Sequence, residues 1–119
     1  MDADVIGIGP ITQEILRTGG LDYDDEKYED MPAGTIITCS FFRCVTSSMS
    51  HELASALNIS DPFDFKRHLI SGWPIHQFNW PSIQAIAENE QSEEAATKEI
   101  ECFKTCLRAG WTLLYRPNF

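Results

Sequence analysis

The run at residues 35–45, TIITCSFFRCV, is the longest β-prone stretch of the chain, and a helical pattern starts directly after it at Thr46-Ser47-Ser48. β-Branched and aromatic side chains fit a pleated, packed surface, so the run reads as a strand feeding a helix N-terminus. Alternate positions put Ile37, Cys39, Phe41 and Val45 on one face, with Arg43 intervening. Ile36, Phe42 and Cys44 fall on the other face beside Thr38 and Ser40. Two largely apolar faces mark a strand covered on both sides, so residues 35–45 are expected at the centre of a sheet.

The other elements are placed around that strand. Residues 2–9 read as a short strand carrying Val5, Ile6 and Ile8, and Gly9-Pro10 as the start of a helix with Ile11, Ile15 and Leu16 on its apolar side and Gly19-Gly20 at its end. Residues 21–34 form an acidic loop. Ser47 or Ser48 caps the next helix, whose Met49, Leu53, Ala56 and Leu57 share a stripe and whose terminator is Asn58. Ser60-Asp61-Pro62 opens a short helix to about Leu69, burying Phe63, Leu69 and Ile70. The segment SGWPIHQFNWPS crosses the body irregularly because proline breaks the helices on both sides. A helix follows from Pro81 to about Asn89 with Ile83, Ile86 and Ala87 inward. Residues 93–109 carry the clearest helical stripe, Ala96, Ile100, Phe103 and Leu107, with Ser92 as cap and Glu94–Lys98 as a favourable pair. Residues 111–116 close the chain as a strand ended by Pro117. The order β-α-β-α-α-α-α-β predicts a single α+β domain over residues 1–119, with an approximately three-stranded sheet packed against several helices.

Composition narrows the function classes. A net charge of -9 opposes binding to a phosphate backbone, which requires a basic face, so no nucleic-acid partner is expected. The charge is uneven: residues 1–33 carry nine acids against Arg17 and Lys27. Such acidity favours solubility and basic partners. The N-terminal stretch MDADVIGIGP has no signal-peptide pattern, and no apolar run approaches the ~20 residues of a spanning helix. A cytoplasmic location without membrane contact is therefore expected. The four cysteines sit inside regular elements and are read as reduced, buried side chains.

Motifs that carry chemistry are incomplete. Gly7-Ile8-Gly9-Pro10-Ile11-Thr12 follows a strand but has Thr12 in place of the third glycine of a dinucleotide fingerprint, so its glycines are read as serving a tight turn. Asp22, Asp24 and Glu26 alternate as calcium-loop ligands do, yet Ala33 stands where the twelfth-position acid belongs. Cys102 and Cys106 share a helix face near Cys39, at a spacing unlike that of zinc knuckles. His51-Glu52 is followed by Ser55 where a metalloprotease has its second histidine. No metal, cofactor or catalytic residue is assigned.

Two places remain for binding. Tryptophan is enriched at interfaces, and Trp73, His76, Phe78 and Trp80 lie together on the irregular crossing. The turn with Thr46, Ser47, Ser48, Ser50 and His51 offers hydroxyls and free amides at a helix N-terminus, a chemistry that suits an anion. The expected function is a small, acidic, non-catalytic interaction protein that binds a protein partner or forms a homo-oligomer. The alternative is an anion- or small-molecule-binding domain, or an enzyme acting on such a ligand, built on the 46–51 turn.

Overall fold

The computed structural model describes residues 2–18, 31–32, 34–59, 66–72, 74–89 and 91–118. Strands β1 (Asp2–Pro10), β2 (Ile36–Cys44), β3 (His68–Leu69) and β4 (Thr112–Asn118) form one antiparallel sheet in the order β2-β1-β4-β3. Helices α1 (Gln13–Thr18), α2 (Ser47–Ala56), α3 (Trp80–Glu88) and α4 (Glu93–Arg108) accompany it, with a 3-10 turn at Ile75–Gln77. The class is α+β, as read from the sequence. Among the described residues no helix is long and apolar enough to cross a membrane. The acidic loop from residue 21 to 30, Gly19-Gly20, residues 60–65 with Phe63, and Trp73 lie outside the described residues.

β2 is not the centre of the sheet. It pairs with β1 and, among the described residues, with no strand on its other side; β1 and β4 form the interior. The pattern that suggested a central strand comes from a β-bulge. Val5 lies opposite Phe41, but Ala3 lies opposite Cys44, so β2 carries one extra residue over that interval. Phe42 takes up the extra residue with φ +55, in the left-handed region that bulky side chains avoid. Alternation reverses there. Ile37, Cys39 and Phe41 point inward before the bulge, and Phe42 and Cys44 point inward after it. Phe42 and Cys44, which suggested a second buried face, therefore serve the same face as Ile37, Cys39 and Phe41, while Ile36 stays on the opposite, exposed side.

The bulge is held by side chains from two directions. The Phe42 amide donates to the Glu99 carboxylate on α4, and Cys44 Sγ donates to the Phe42 carbonyl at 3.3 Å. The Phe42 ring packs edge-on against Phe103, with centroids 4.8 Å apart. Left-handed backbone of this kind costs about 1–3 kcal/mol and persists where the surroundings over-determine it.

Small residues line the core side of β1. Ala3, Val5, Gly7 and Gly9 are buried, which leaves room for large side chains from its neighbours. Phe41 arrives from β2, Trp111 from the position just before β4, and Leu113 and Tyr115 from β4; all are buried. Trp111 lies directly over Gly9. β1 also continues further than expected: Pro10 pairs with Ile36 at the strand's end, and α1 starts at Gln13 with the Ile15 amide donating to Thr12 Oγ1 at 3.2 Å.

Three further local differences have physical causes. His68 and Leu69, read as the end of a helix, pair with Tyr115 and Leu114 and add a fourth strand. Leu69 is consequently 58% exposed while Ile70 is buried. Thr46, rather than Ser47 or Ser48, caps α2: its Oγ1 accepts from the Met49 amide at 3.2 Å. Pro117 does not end β4 but sits within it opposite Ala3.

The helical layer follows the sequence reading more closely. Ser92 caps α4, and Ala96, Ile100 and Phe103 are buried along it. Asn79 caps α3, and Ile83, Ile86 and Ala87 are buried. Leu53, Ala56 and Leu57 of α2 and its end are buried, and Asn58 terminates the helix at φ 64. Phe41, Phe42, Phe78, Trp80 and Phe103 form one aromatic cluster in which Phe103 touches the other four.

Candidate functional site

Antiparallel strands present successive side chains to opposite faces, so a sheet covered on one side leaves the other to solvent. Here the covered side holds the core just described. The opposite side carries Asp4, Ile6, Ile8 and Pro10 from β1, Ile36, Thr38 and Ser40 from β2, Leu69 from β3, and Thr112, Leu114 and Arg116 from β4. Ile8 is 44% exposed and Ile36 is 70% exposed. With Leu69 and with Val45, just past the end of β2, they make up the exposed large hydrophobics of the described residues.

The registers show how these residues are arranged. Ser40, Ile6, Leu114 and Leu69 lie opposite one another in a row across four strands. Ile8 sits one outward-facing position further along, opposite Thr38 and Thr112, and Ile36 sits one beyond that, opposite Pro10. The apolar residues thus run diagonally from Ile36 at one sheet edge to Leu69 at the other. Beside the stripe, Asp4 accepts from Arg116 Nε at 3.0 Å and from Nη2 at 2.8 Å, and Ser40 Oγ donates to it at 2.8 Å. The bidentate pair neutralises both charges and holds the guanidinium firmly protonated.

The 46–51 turn is arranged differently. Thr46 caps α2, and its carbonyl accepts from the Ser50 amide and from Ser50 Oγ at 2.9 Å. Ser50 is buried, Ser48 is exposed, and Ser47 and His51 are half-buried. Two of the hydroxyls read as anion ligands are therefore engaged in the cap itself. Cys44 is buried with its thiol turned to the Phe42 carbonyl.

The aromatic crossing belongs largely to the core. Phe78 is buried, and Trp80 is half-buried with Nε1 donating to the Ile75 carbonyl at 2.9 Å. Lys104 Nζ stands 4.6 Å from the centroid of the Trp80 ring, on its outer side. His76 is exposed. Trp73 lies outside the described residues. Cys39, Cys102 and Cys106 are buried, and Cys106 is pushed to a higher pKa by its hydrogen bond with Cys102, by burial, and by the Cys102 and Cys39 thiols. A thiol held neutral in this way is a core side chain rather than a nucleophile.

Among the described residues, one titratable group has a shift near neutrality. Burial pushes the Glu99 carboxyl up to about 7, against the hydrogen bonds from the Phe42 amide and Gln91 Nε2, which lower it. A folded pKa above the unfolded value means that folding is most favourable with Glu99 protonated. The stability that this contributes is full below the unfolded pKa near 4.5 and is lost as pH rises through about 7. Glu99→Gln keeps an acceptor for the Phe42 amide and removes the ionisation. Urea melts are expected to show it more stable than the parent by about 2 kcal/mol at pH 8, allowing for partial solvent screening, with the gap closing toward pH 4.

Sequence reasoning missed Ile36, Ile8 and Leu69 as surface residues. The available signal was the small-residue face Ala3, Gly7 and Gly9, which identifies the core side of β1 and leaves Ile6 and Ile8 on the opposite side. Comparison with protein-family models, with curated proteins and with solved structures finds no match for this chain.

Proposed function

We propose that this chain is a non-catalytic interaction protein whose docking surface is the open face of the sheet, used to bind a protein partner or a second copy. The observation that carries this reading is where the exposed large hydrophobics fall: Ile8, Ile36 and Leu69 share the open sheet face. Scattered surface hydrophobics need no explanation, whereas a contiguous group on one face marks an interaction surface. The 46–51 turn is the weaker place for a ligand because Thr46 and Ser50 are engaged with the helix backbone.

A photo-reactive amino acid at position 36 or 69 tests the reading in cells that make the chain, with position 94 on the exposed side of α4 as control. Positions 36 and 69 are expected to give the same discrete crosslinked product, lost on Ile8→Arg. Equal labelling at 36, 69 and 94, or none at 36 and 69, rules the open face out as a docking surface.

A further inference from the structure

Resting on the open sheet face as docking surface, we propose that its occupant is a second copy of this chain, packed face to face about a two-fold axis with the strands of the two sheets nearly orthogonal. The geometry follows from the stripe. From Ile36, opposite Pro10, to Leu69, in the row of Ile6, the stripe moves four residues along the strands, about 13 Å, and crosses three strand spacings, about 14 Å. It therefore runs at about 45° to the strands. A straight stripe overlays its own copy when the two-fold axis lies along it or across it in the plane between the sheets. Either choice reflects the strand direction through about 45° and crosses the two sets of strands at about 90°, one of the two recurrent sheet-on-sheet arrangements.

Charge also favours a second copy. The chain has a net charge of -9, yet β2, β3 and β4 contribute no carboxylate to this face. Of the two from β1, Asp2 stands at the strand's first position, away from the stripe, and Asp4 is neutralised by Arg116. A cationic partner is drawn to the acidic surfaces elsewhere, while this face admits another acidic chain without placing carboxylates against carboxylates. The area is that of a weak, reversible dimer. Three strands over a paired length of ~25 Å and the two-residue β3, at ~4.8 Å spacing, give about 400 Å² per copy and about 800 Å² in all, the size of a transient interface.

Sedimentation velocity of the full chain between about 1 and about 200 μM tests this, because an interface near the lower size limit dissociates on dilution in that range. The weight-average sedimentation coefficient is expected to rise from monomer to dimer with concentration, and to rise further as salt screens the repulsion between two acidic chains. Ile36→Ser combined with Leu69→Ser is expected to stay monomeric with an unchanged thermal midpoint, both side chains being exposed in the single chain. Glu94→Ser with Lys98→Ser, on the outer side of α4, is expected to dimerise like the parent. A parent that stays monomeric to the highest concentration overturns the proposal, even if positions 36 and 69 crosslink to another protein, which leaves the docking reading standing. A dimer that survives the Ile36 and Leu69 substitutions also overturns it.

Discussion

Phe103→Ala is expected to remove about 3–5 kcal/mol of stability, the range for deleting a fully buried aromatic side chain and leaving a cavity. The upper part of the range applies. Phe103 is fully buried, and its ring meets Phe41 at 5.4 Å, Phe42 at 4.8 Å, Phe78 at 6.2 Å and Trp80 at 6.0 Å between centroids. These neighbours come from β2, the 3-10 turn and α3, so no single element can shift to fill the space without leaving another contact. The ring also presses on Phe42, the residue held at φ +55. Without it the bulge loses one of the three interactions that oppose its backbone strain. Urea denaturation with fluorescence and circular dichroism measures the loss. A change under about 1 kcal/mol would show that the cluster repacks freely and does not fix the bulge.

Gly9→Ala is expected to cost about 3 kcal/mol, the top of the usual range for overpacking. An added Cβ at Gly9 would stand 2.4 Å from Trp111 Cγ and 2.5 Å from Cδ1 and Cδ2. Those atoms belong to a rigid, buried ring, and Gly9 itself is held in the backbone of an interior strand. Neither yields cheaply. Gly7→Ala is the informative comparison, because its Cβ would meet Leu113 Cδ2 and Phe41 Cε2 at 3.0 Å and Trp111 Cε3 at 3.3 Å. The nearest atoms there lie at the outer ends of side chains that can adjust, so a smaller loss is expected. Thermal melts of the two variants side by side decide the matter: equal losses would mean that the indole does not distinguish the sites.

These two glycines show what the sequence could and could not reveal. Gly7 and Gly9 lie in the second half of β1, and their spacing invites comparison with a nucleotide-binding turn. Their role instead depends on Trp111, more than a hundred residues away, which no local pattern connects to them. Residues 36–44 do form the expected strand, but its expected place at the centre of the sheet failed for a related reason. Alternation was counted correctly on both sides of Phe42, but one residue in left-handed backbone reverses its sense. A covered edge strand with a bulge and a straight strand buried on two faces then have the same hydrophobic pattern. α3 and α4 were legible because their stripes, and the Ser92 cap of α4, are set by residues within four positions of one another. The exposed apolar stripe was not, because it exists only when Ile36, Ile8 and Leu69 come together from three strands. The aromatic crossing attracted attention for the presence of tryptophan, but Phe78 and Trp80 face Phe103.

The interior position of β1 beside β4 sets the order in which contacts become affordable to a folding chain. Pro10 and Ile36 meet across a short connection, whereas Ile8 and Thr112 must close a loop about fourfold longer, at roughly 1.2 kcal/mol more in chain entropy. The β1–β2 ladder and the bulge beneath α4 can therefore assemble before β4 arrives. Until it does, Gly9 has no indole above it and β1 has an unpaired edge. The last strand to dock thus completes both the core, through Trp111, and the open face, through Leu114.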